Sequence, residues 1–172
     1  MNINNKIYME QYLNTKNFTK HYFDDNSNYY LKHIDENNNT VIYLKNNAYK
    51  TYLKCMYNLE ITEQADEAFL IIKNNKYCFK LIEHKYLHRY SDKTPLKTGS
   101  INKELYDIDL NNDNHKFDIE LAYSVNNYID SRLNSNDIEY RNIKKILSRL
   151  NINLFNSENE NYYDTLYKWI CN

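Results

Sequence analysis

Three residues of this sequence, Asp66, Glu83 and Lys85, have types and a spacing suited to metal-assisted chemistry. If the run CFKLIEHK forms a strand, Glu83 and Lys85 share one face and His84 points to the other. Pairing with the apolar run after Asp66 would then bring both acids and the lysine together. Mg²⁺ binds a few carboxylate oxygens and takes water and phosphate oxygens as its remaining ligands. A metal held by the two acids would polarise a phosphodiester while Lys85 orients the attacking water or stabilises the charge that develops, which predicts hydrolysis of a nucleic-acid backbone.

A β-hairpin is the element that must position these residues. Runs rich in β-branched and aromatic residues, AFLII and KYCFKLI, flank the tripeptide NNK. The pattern predicts a hairpin with its turn at Asn74, Asn75 and Lys76. Asp66 would open the first strand, and the neighbouring Glu67 would point to the opposite face, where a structural role is expected.

The first part of the chain reads as helical. One or two loosely amphipathic helices are predicted over residues 5–23, and the turn cluster DDNSN follows them. Apolar residues at helical spacing in LKNNAYKTYLKCMY predict a helix over 44–57 that ends near Asn58. We therefore interpret residues 1–43 as a helical N-terminal extension of a core that spans 44–172.

The second half alternates between helices and strands. Ser100 is a candidate N-cap for a short helix over 101–110. A strand over 115–125, a helix, a clearly amphipathic helix over 140–150, the short strand INLF and a closing helix that docks Leu166 and Trp169 follow. The chain is thus predicted to be a single α/β domain in which hairpin and crossover connections are mixed.

Composition excludes several classes of protein. Hydrophobic residues make up 42 % of the 172 residues, 19 of them tyrosine, which favours a folded chain with an aromatic core. The formal net charge of -1 indicates no global basic field, so phosphate binding would require a local patch. A single glycine rules out the usual phosphate-loop and serine-elbow motifs, and three isolated cysteines indicate a reducing interior. Without a leader or membrane-span pattern, the protein is expected to be soluble and intracellular, in a bacterial cytoplasm or a virus-infected cell, or packaged in a virion.

The strings ADEAFLI, KLIEHKYL and TGSINKEL together resemble the PD-(D/E)XK nucleases, and more narrowly one group of type II restriction endonucleases. The resemblance covers residues 58 to 170. It implies a restriction-endonuclease-like mixed sheet with a catalytic β-hairpin flanked by helices. It also implies that Asp66 and Glu83 bind Mg²⁺, for which Mn²⁺ could substitute, and that Lys85 is the catalytic lysine.

The sequence departs from that family's pattern at three places. Ala65 stands where proline is usual, and His84 occupies the variable middle position of ExK. Leu87 or His88 stands where the family often has a glutamine, so any role of that glutamine is in doubt here. The acidic pair and the lysine are intact.

Two segments are candidate contacts for a DNA backbone. The first is the loop after the catalytic strand, which holds the only proline and the only glycine of the chain, and its candidate residues are Lys93, Lys97, Gly99, Ser100 and Lys103. The second is the polar side of the 140–150 helix, with Arg141, Lys144, Lys145 and Arg149. A solvated helix face explains the second set equally well.

These features predict a Mg²⁺-dependent endodeoxyribonuclease that cleaves duplex DNA at specific sites. Cleavage of both strands needs two active sites, so a homodimer is expected. Two alternatives stay open: an inactive DNA-binding or structural protein on a nuclease fold, and a recombination or repair nuclease that recognises junctions or ends by shape.

Overall fold

A computed structural model describes residues 4–24, 27–60, 65–96 and 117–172. In chain order the elements are α1 (Asn4–Thr15), β1 (Thr19–Tyr22), β2 (Tyr29–Ile34), β3 (Thr40–Lys45), α2 (Asn46–Tyr57), β4 (Glu67–Lys73), β5 (Lys76–Lys85), β6 (Phe117–Val125), α3 (Asn127–Leu133), α4 (Ile138–Arg149), β7 (Asn153–Asn156) and α5 (Tyr162–Cys171). None of the helices in these ranges is long and apolar enough to cross a membrane.

The seven strands form one open sheet whose spatial order, β1 to β7, is the order of the sequence. Strands β1 to β5 pair antiparallel, whereas β5, β6 and β7 pair parallel. The prediction of a mixed α/β fold with hairpins and crossovers is confirmed for the described part of the chain. Because β5 to β7 are parallel and β4 starts where β5 ends, the start of β4 and the ends of β5, β6 and β7 lie at the same end of the sheet.

Helices cover both faces of the sheet, and each face has its own apolar cluster. The first face packs against α2, α3 and α4, through buried residues such as Tyr49, Ile129 and Ile143. The second face packs against α1 and α5, through residues such as Leu13 and Leu166. Odd-numbered residues of β5 belong to the first face and even-numbered ones to the second, as alternation requires.

The predicted hairpin is confirmed almost to the residue. β4 and β5 pair from Glu67 opposite Ile82 to Lys73 opposite Lys76. Asn74 and Asn75 connect them with φ angles of 52° and 62°, the left-handed conformation that two-residue hairpin turns require. Lys76, which was assigned to the turn, begins β5 instead.

The prediction that residues 1–43 form a helical N-terminal extension is wrong. Among the residues of that segment that the structure describes, α1 is the one helix; β1, β2 and most of β3 belong to the same sheet as the hairpin. Asp35 ends β2 by accepting hydrogen bonds from the main-chain N–H groups of Asn37 and Asn39, so the asparagine run is a turn between strands. All four residues of β1 are exposed, so the sequence has no apolar period of two there that would indicate a strand.

The later elements agree with the sequence pattern in type and order. α2 ends at Asn58, whose φ of 54° is the left-handed C-cap conformation, while Leu44 lies in β3 and not in the helix. In α4, Tyr140, Ile143 and Leu147 form the buried stripe, whereas Leu150, the C-cap residue, is exposed. The predicted helix over 101–110 lies outside the described residues.

Candidate active site at the end of the hairpin

The pairing of β4 with β5 brings the two predicted acids to the same place. Glu67 is opposite Ile82, so the next step of the same register sets Asp66, in the bend just before β4, opposite Glu83. Glu83 and Lys85 alternate with His84 and therefore lie on the first face. Two carboxyl groups and one ammonium group thus gather at the end of β5, as the spacing predicted.

Burial and charge act together on Glu83, which is 8 % exposed. Burial, and then the negative charge of Asp66, raises the pKa of Glu83 to about 7, although the ammonium of Lys85 acts to lower it. The effect reaches the neighbouring strand: burial and the charge of Glu83 raise the pKa of Tyr123, its partner on β6, to about 12. The pair therefore carries more negative charge than Lys85 compensates.

Asp66 and Glu67 hold His84 from the two faces of the sheet. The main-chain N–H of His84 donates to Asp66 Oδ2 at 2.9 Å, where the strand ladder no longer supplies an acceptor. On the second face, His84 Nε2 lies 2.6 Å from Glu67 Oε2. We call this arrangement of Asp66, Glu67 and His84 the His84 clasp. It fixes the stretch of β5 from which Glu83 and Lys85 project.

The charge of Glu67 is compensated on the second face. Glu67 is 1 % exposed, and Tyr43 on β3 donates its hydroxyl to Glu67 Oε1 at 2.7 Å. Burial alone would lower the pKa of His84, but the hydrogen bond to Glu67 and the surrounding carboxylates outweigh it, so that pKa is raised. Ser124, the partner of His84 on β6, bonds the hydroxyl of Tyr162 on α5 at 2.8 Å. Side-chain hydrogen bonds thus join β3, β4 and β5 at Glu67, and a separate one joins β6 to α5.

Serine, histidine and glutamate side chains therefore lie near one another, yet they do not form an exposed nucleophilic site. Ser124 is 1 % exposed and its hydroxyl is already engaged by Tyr162. His84 Nδ1 is buried and has no hydrogen-bond partner among the described residues. A substrate could not reach the serine without displacement of α5, so these residues are best understood as support for the first face.

Sequence reasoning predicted that His84 and Glu67 would face away from the acids, but it missed the contact between them. Two features of the sequence could have indicated this contact. Glu67 is an acid at a buried strand position, at the start of EAFLII, and the hairpin register places His84 diagonally across from it. Tyr43, Ser124 and Tyr162 had no such signal because they come from other elements.

The segment after Lys85 is tied to the ends of β6 and α3. Asn126 accepts the Leu87 N–H through Oδ1 and donates to the Leu87 carbonyl through Nδ2, at 3.2 and 2.7 Å. Arg132 donates to the carbonyls of Tyr90 and Asp92. The main chain of Leu87 thus bonds Asn126, and its side chain packs in the core. Neither contact supports a role for Leu87 as a substitute for the glutamine of the PD-(D/E)XK pattern.

The predicted backbone contacts are only partly described. Lys93 is exposed, and it follows the residues after Lys85 to which Asn126 and Arg132 donate hydrogen bonds. The basic residues of α4 are all exposed, namely Arg141, Lys144, Lys145 and Arg149. The Lys144 ammonium donates a hydrogen bond to Asn134 Oδ1. Lys97, Gly99, Ser100 and Lys103 lie outside the described residues. The stripe on α4 is solvated, and no described contact joins it to Asp66 or Glu83.

Within the described ranges, no cluster of three or more histidine, cysteine, aspartate or glutamate residues has metal-binding geometry. Asp66 and Glu83 are a pair, and Mg²⁺ in enzymes is often held by one or two carboxylates plus substrate and water. Comparisons with protein-family models, with curated proteins and with solved structures found no match. The function of this chain is therefore inferred from the geometry of the site.

Proposed function

We propose that this chain is a divalent-metal-dependent nuclease that hydrolyses phosphodiester bonds of duplex DNA, on a sheet of the restriction-endonuclease type. One observation carries the proposal: Asp66 and Glu83 lie opposite each other at the end of a hairpin, with Lys85 on the same face. Like charges directly opposite each other destabilise a sheet. Such an arrangement is expected where a cation completes it.

The chemistry of the donor set fits a hard divalent cation. Both donors are carboxylates, and the raised pKa of Glu83 reflects burial and an excess of negative charge beside it. A divalent cation bound there would supply charge neutralisation, polarisation of the scissile phosphate and a lowered pKa for a bound water. Mg²⁺ is the expected ion, and Mn²⁺ accepts similar ligands.

The protein groups would act on the reacting phosphate as follows. The oxygen of a water molecule would form a bond to phosphorus as that water loses a proton to solvent, and one ester P–O bond would break with its electron pair going to the leaving oxygen, which takes up a proton from solvent. The Lys85 ammonium would stabilise the negative charge that develops on the phosphate oxygens or orient the water. The His84 clasp keeps Asp66 and the end of β5 in a fixed relation during this change.

A cleavage assay tests the proposal. Purified protein is incubated with a long unmethylated DNA duplex in Mg²⁺ or in EDTA, and the products are separated on a gel. Wild type should give discrete, metal-dependent fragments, and Glu83→Gln and Lys85→Ala should each lower the rate about a hundredfold or more. Glu36→Gln, in the exposed turn between β2 and β3, and Lys168→Ala, exposed on α5 at the second face, are the matched controls and should cleave normally.

Cleavage of both strands needs two active sites, so we expect the active form to be a homodimer with a two-fold axis. Sedimentation of the wild-type protein with and without DNA measures this directly. Absence of cleavage on several unmodified DNAs, with identical behaviour of Lys85→Ala, would favour instead a DNA-binding protein that has lost catalysis.

Exposed tyrosines favour a second candidate, a nuclease for junctions or ends. Tyr86 and Tyr90 follow Lys85 and are 39 % and 49 % exposed, and Tyr128 at the start of α3 is 43 % exposed. Arg132, one turn along α3 from Tyr128, lies over the Tyr90 ring at 5.5 Å. Exposed aromatic rings beside a catalytic centre suit stacking on unpaired bases. Cleavage of a branched oligonucleotide in preference to its fully paired equivalent would select this candidate.

A further inference from the structure

The opposite end of the same hairpin borders a cavity of about 360 Å³ on the second face. The cavity lies where the C-terminal end of α5 leaves the sheet uncovered, and Val41 and Ile71 form an apolar part of its wall. Its volume falls in the range of small-molecule sites, about 300 to 1,000 Å³. Lysines, thiols and carboxylates supply its polar wall, namely Lys73, Lys76, Lys80, Cys78, Cys171, Asp35 and Glu120.

Lys80 is a buried cation in this wall. It is 4 % exposed, and its ammonium donates to the Trp169 carbonyl and pairs with Glu120 Oε2 at 3.1 Å. The ammonium also lies 5.0 Å from the centre of the Trp169 ring. An ammonium group has three donors, so within the described part of the chain one N–H of Lys80 has no acceptor.

Lys73 and Lys76 add uncompensated positive charge. They are directly opposite each other in the β4–β5 register, and both are exposed. Like charges in this arrangement destabilise a hairpin. Neither lysine has an ion pair among the described residues, whereas Asp35 is engaged by the N–H groups of its own turn. An anion between the two ammonium groups would remove the repulsion.

We propose that this cavity binds a small organic anion, a molecule that joins a phosphate or carboxylate group to an apolar ring or chain. The anionic group lies between Lys73 and Lys76, the apolar part contacts Val41 and Ile71, and Lys80, four residues along β5 from Lys76, adds an ammonium donor to the wall. The site is separate from Asp66 and Glu83, which lie on the other face at the other end of the hairpin, and it does not depend on nuclease activity.

Three probes distinguish the contribution of the anionic group to binding from that of the apolar ring. Phenyl phosphate has both the anion and the ring, inorganic phosphate has only the anion, and benzyl alcohol has only the ring. Calorimetric titration should give the tightest binding for phenyl phosphate, and Lys73→Gln/Lys76→Gln should weaken that binding about tenfold or more. Lys50→Gln/Lys54→Gln, two exposed lysines on α2 at the first face, is the charge-matched control and should bind as wild type does.

The cysteines give an internal control for the location of the ligand. Cys171 is exposed at the cavity, whereas Cys55 is exposed on α2 at the other face. With phenyl phosphate at about ten times its Kd, alkylation of Cys171 by iodoacetamide should slow about tenfold while Cys55 reacts at its original rate. Because burial raises the pKa of the Cys171 thiol, the rates are compared at alkaline pH by mass spectrometry.

The proposal predicts binding of phenyl phosphate, protection confined to Cys171 and the partly buried Cys78, and loss of both effects in the Lys73→Gln/Lys76→Gln variant. It is overturned if phenyl phosphate does not bind, if Cys55 is slowed as much as Cys171, or if the double variant binds as well as wild type. Since each reading comes from metal-free protein without DNA, a failure of the nuclease proposal leaves these outcomes unaffected.

Discussion

Asp66 and Glu67 are neighbours in the sequence, but the two faces of the sheet treat their charges differently. On the second face Glu67 is matched by the Tyr43 hydroxyl and the His84 ring. On the first face Asp66 lies opposite a second carboxyl group, Glu83, and among the described residues Lys85 is the cation that offsets them. A matched buried acid indicates a structural role, whereas two acids with excess negative charge indicate a place for a cation. Substitutions on the two faces should therefore change stability in opposite directions.

The largest effect is expected on the matched face. Glu67→Ala leaves the His84 ring and the Tyr43 hydroxyl buried without their acceptor, so the free energy of unfolding should fall by about 3 kcal/mol or more. Urea unfolding followed by circular dichroism measures the change. Glu36→Ala, at an exposed turn position, should stay within about 0.5 kcal/mol of wild type. Equal effects of the two substitutions would remove the distinction between the faces.

The opposite sign is expected for Glu83→Gln in metal-free protein at pH 8. The wild-type protein must then keep Glu83 ionised beside Asp66, and the substitution removes that charge. We expect a gain of about 1 to 2 kcal/mol in the free energy of unfolding, on the scale of 1.4 kcal/mol for each unit of pKa. A clear loss of stability in EDTA at this pH would mean that Glu83, like Glu67, is structurally matched.

The pH dependence of the free energy of unfolding also tests the effect of the Glu83 charge on stability. The pKa of Glu83 rises from its usual 4.5 to about 7 on folding, so the folded state holds more protons between these values. The stabilisation from that proton is complete below pH 4.5 and is lost as the pH rises through 7. Metal-free wild type should therefore lose stability relative to Glu83→Gln between pH 5 and 8. Parallel pH profiles of the two proteins would contradict the raised pKa of Glu83.

A smaller effect is expected for Tyr43→Phe, which removes one hydroxyl and keeps the ring. Glu67 retains His84 as its partner, so the loss should be about 1 kcal/mol, well below that of Glu67→Ala. Thermal unfolding of the two variants under one set of conditions compares them. If Tyr43→Phe proved as damaging as Glu67→Ala, the hydroxyl and not the His84 pair would be the main support of Glu67.

The sequence was most informative where the pattern was local. The period of two in AFLII and KYCFKLI, with asparagines between them, predicted the hairpin, and parity alone predicted that Glu83 and Lys85 share a face with His84 opposite. Strands β1 and β2 were missed because their polar and aromatic residues do not alternate clearly, and their strand form depends on pairing with β3. Tyr43 was missed as a partner of Glu67 for a related reason: it lies on β3 and reaches Glu67 only in the folded sheet.

Binding of Mn²⁺ to the metal-free protein at pH 7.5, measured by calorimetry, tests most directly whether Asp66 and Glu83 form a metal site. Wild type and Glu36→Gln should bind one ion per chain with equal affinity, while Asp66→Asn and Glu83→Gln should each weaken binding at least tenfold, about 1.4 kcal/mol. Equal Mn²⁺ binding by all four proteins, or none by wild type, would contradict the assignment of these two carboxylates as metal ligands.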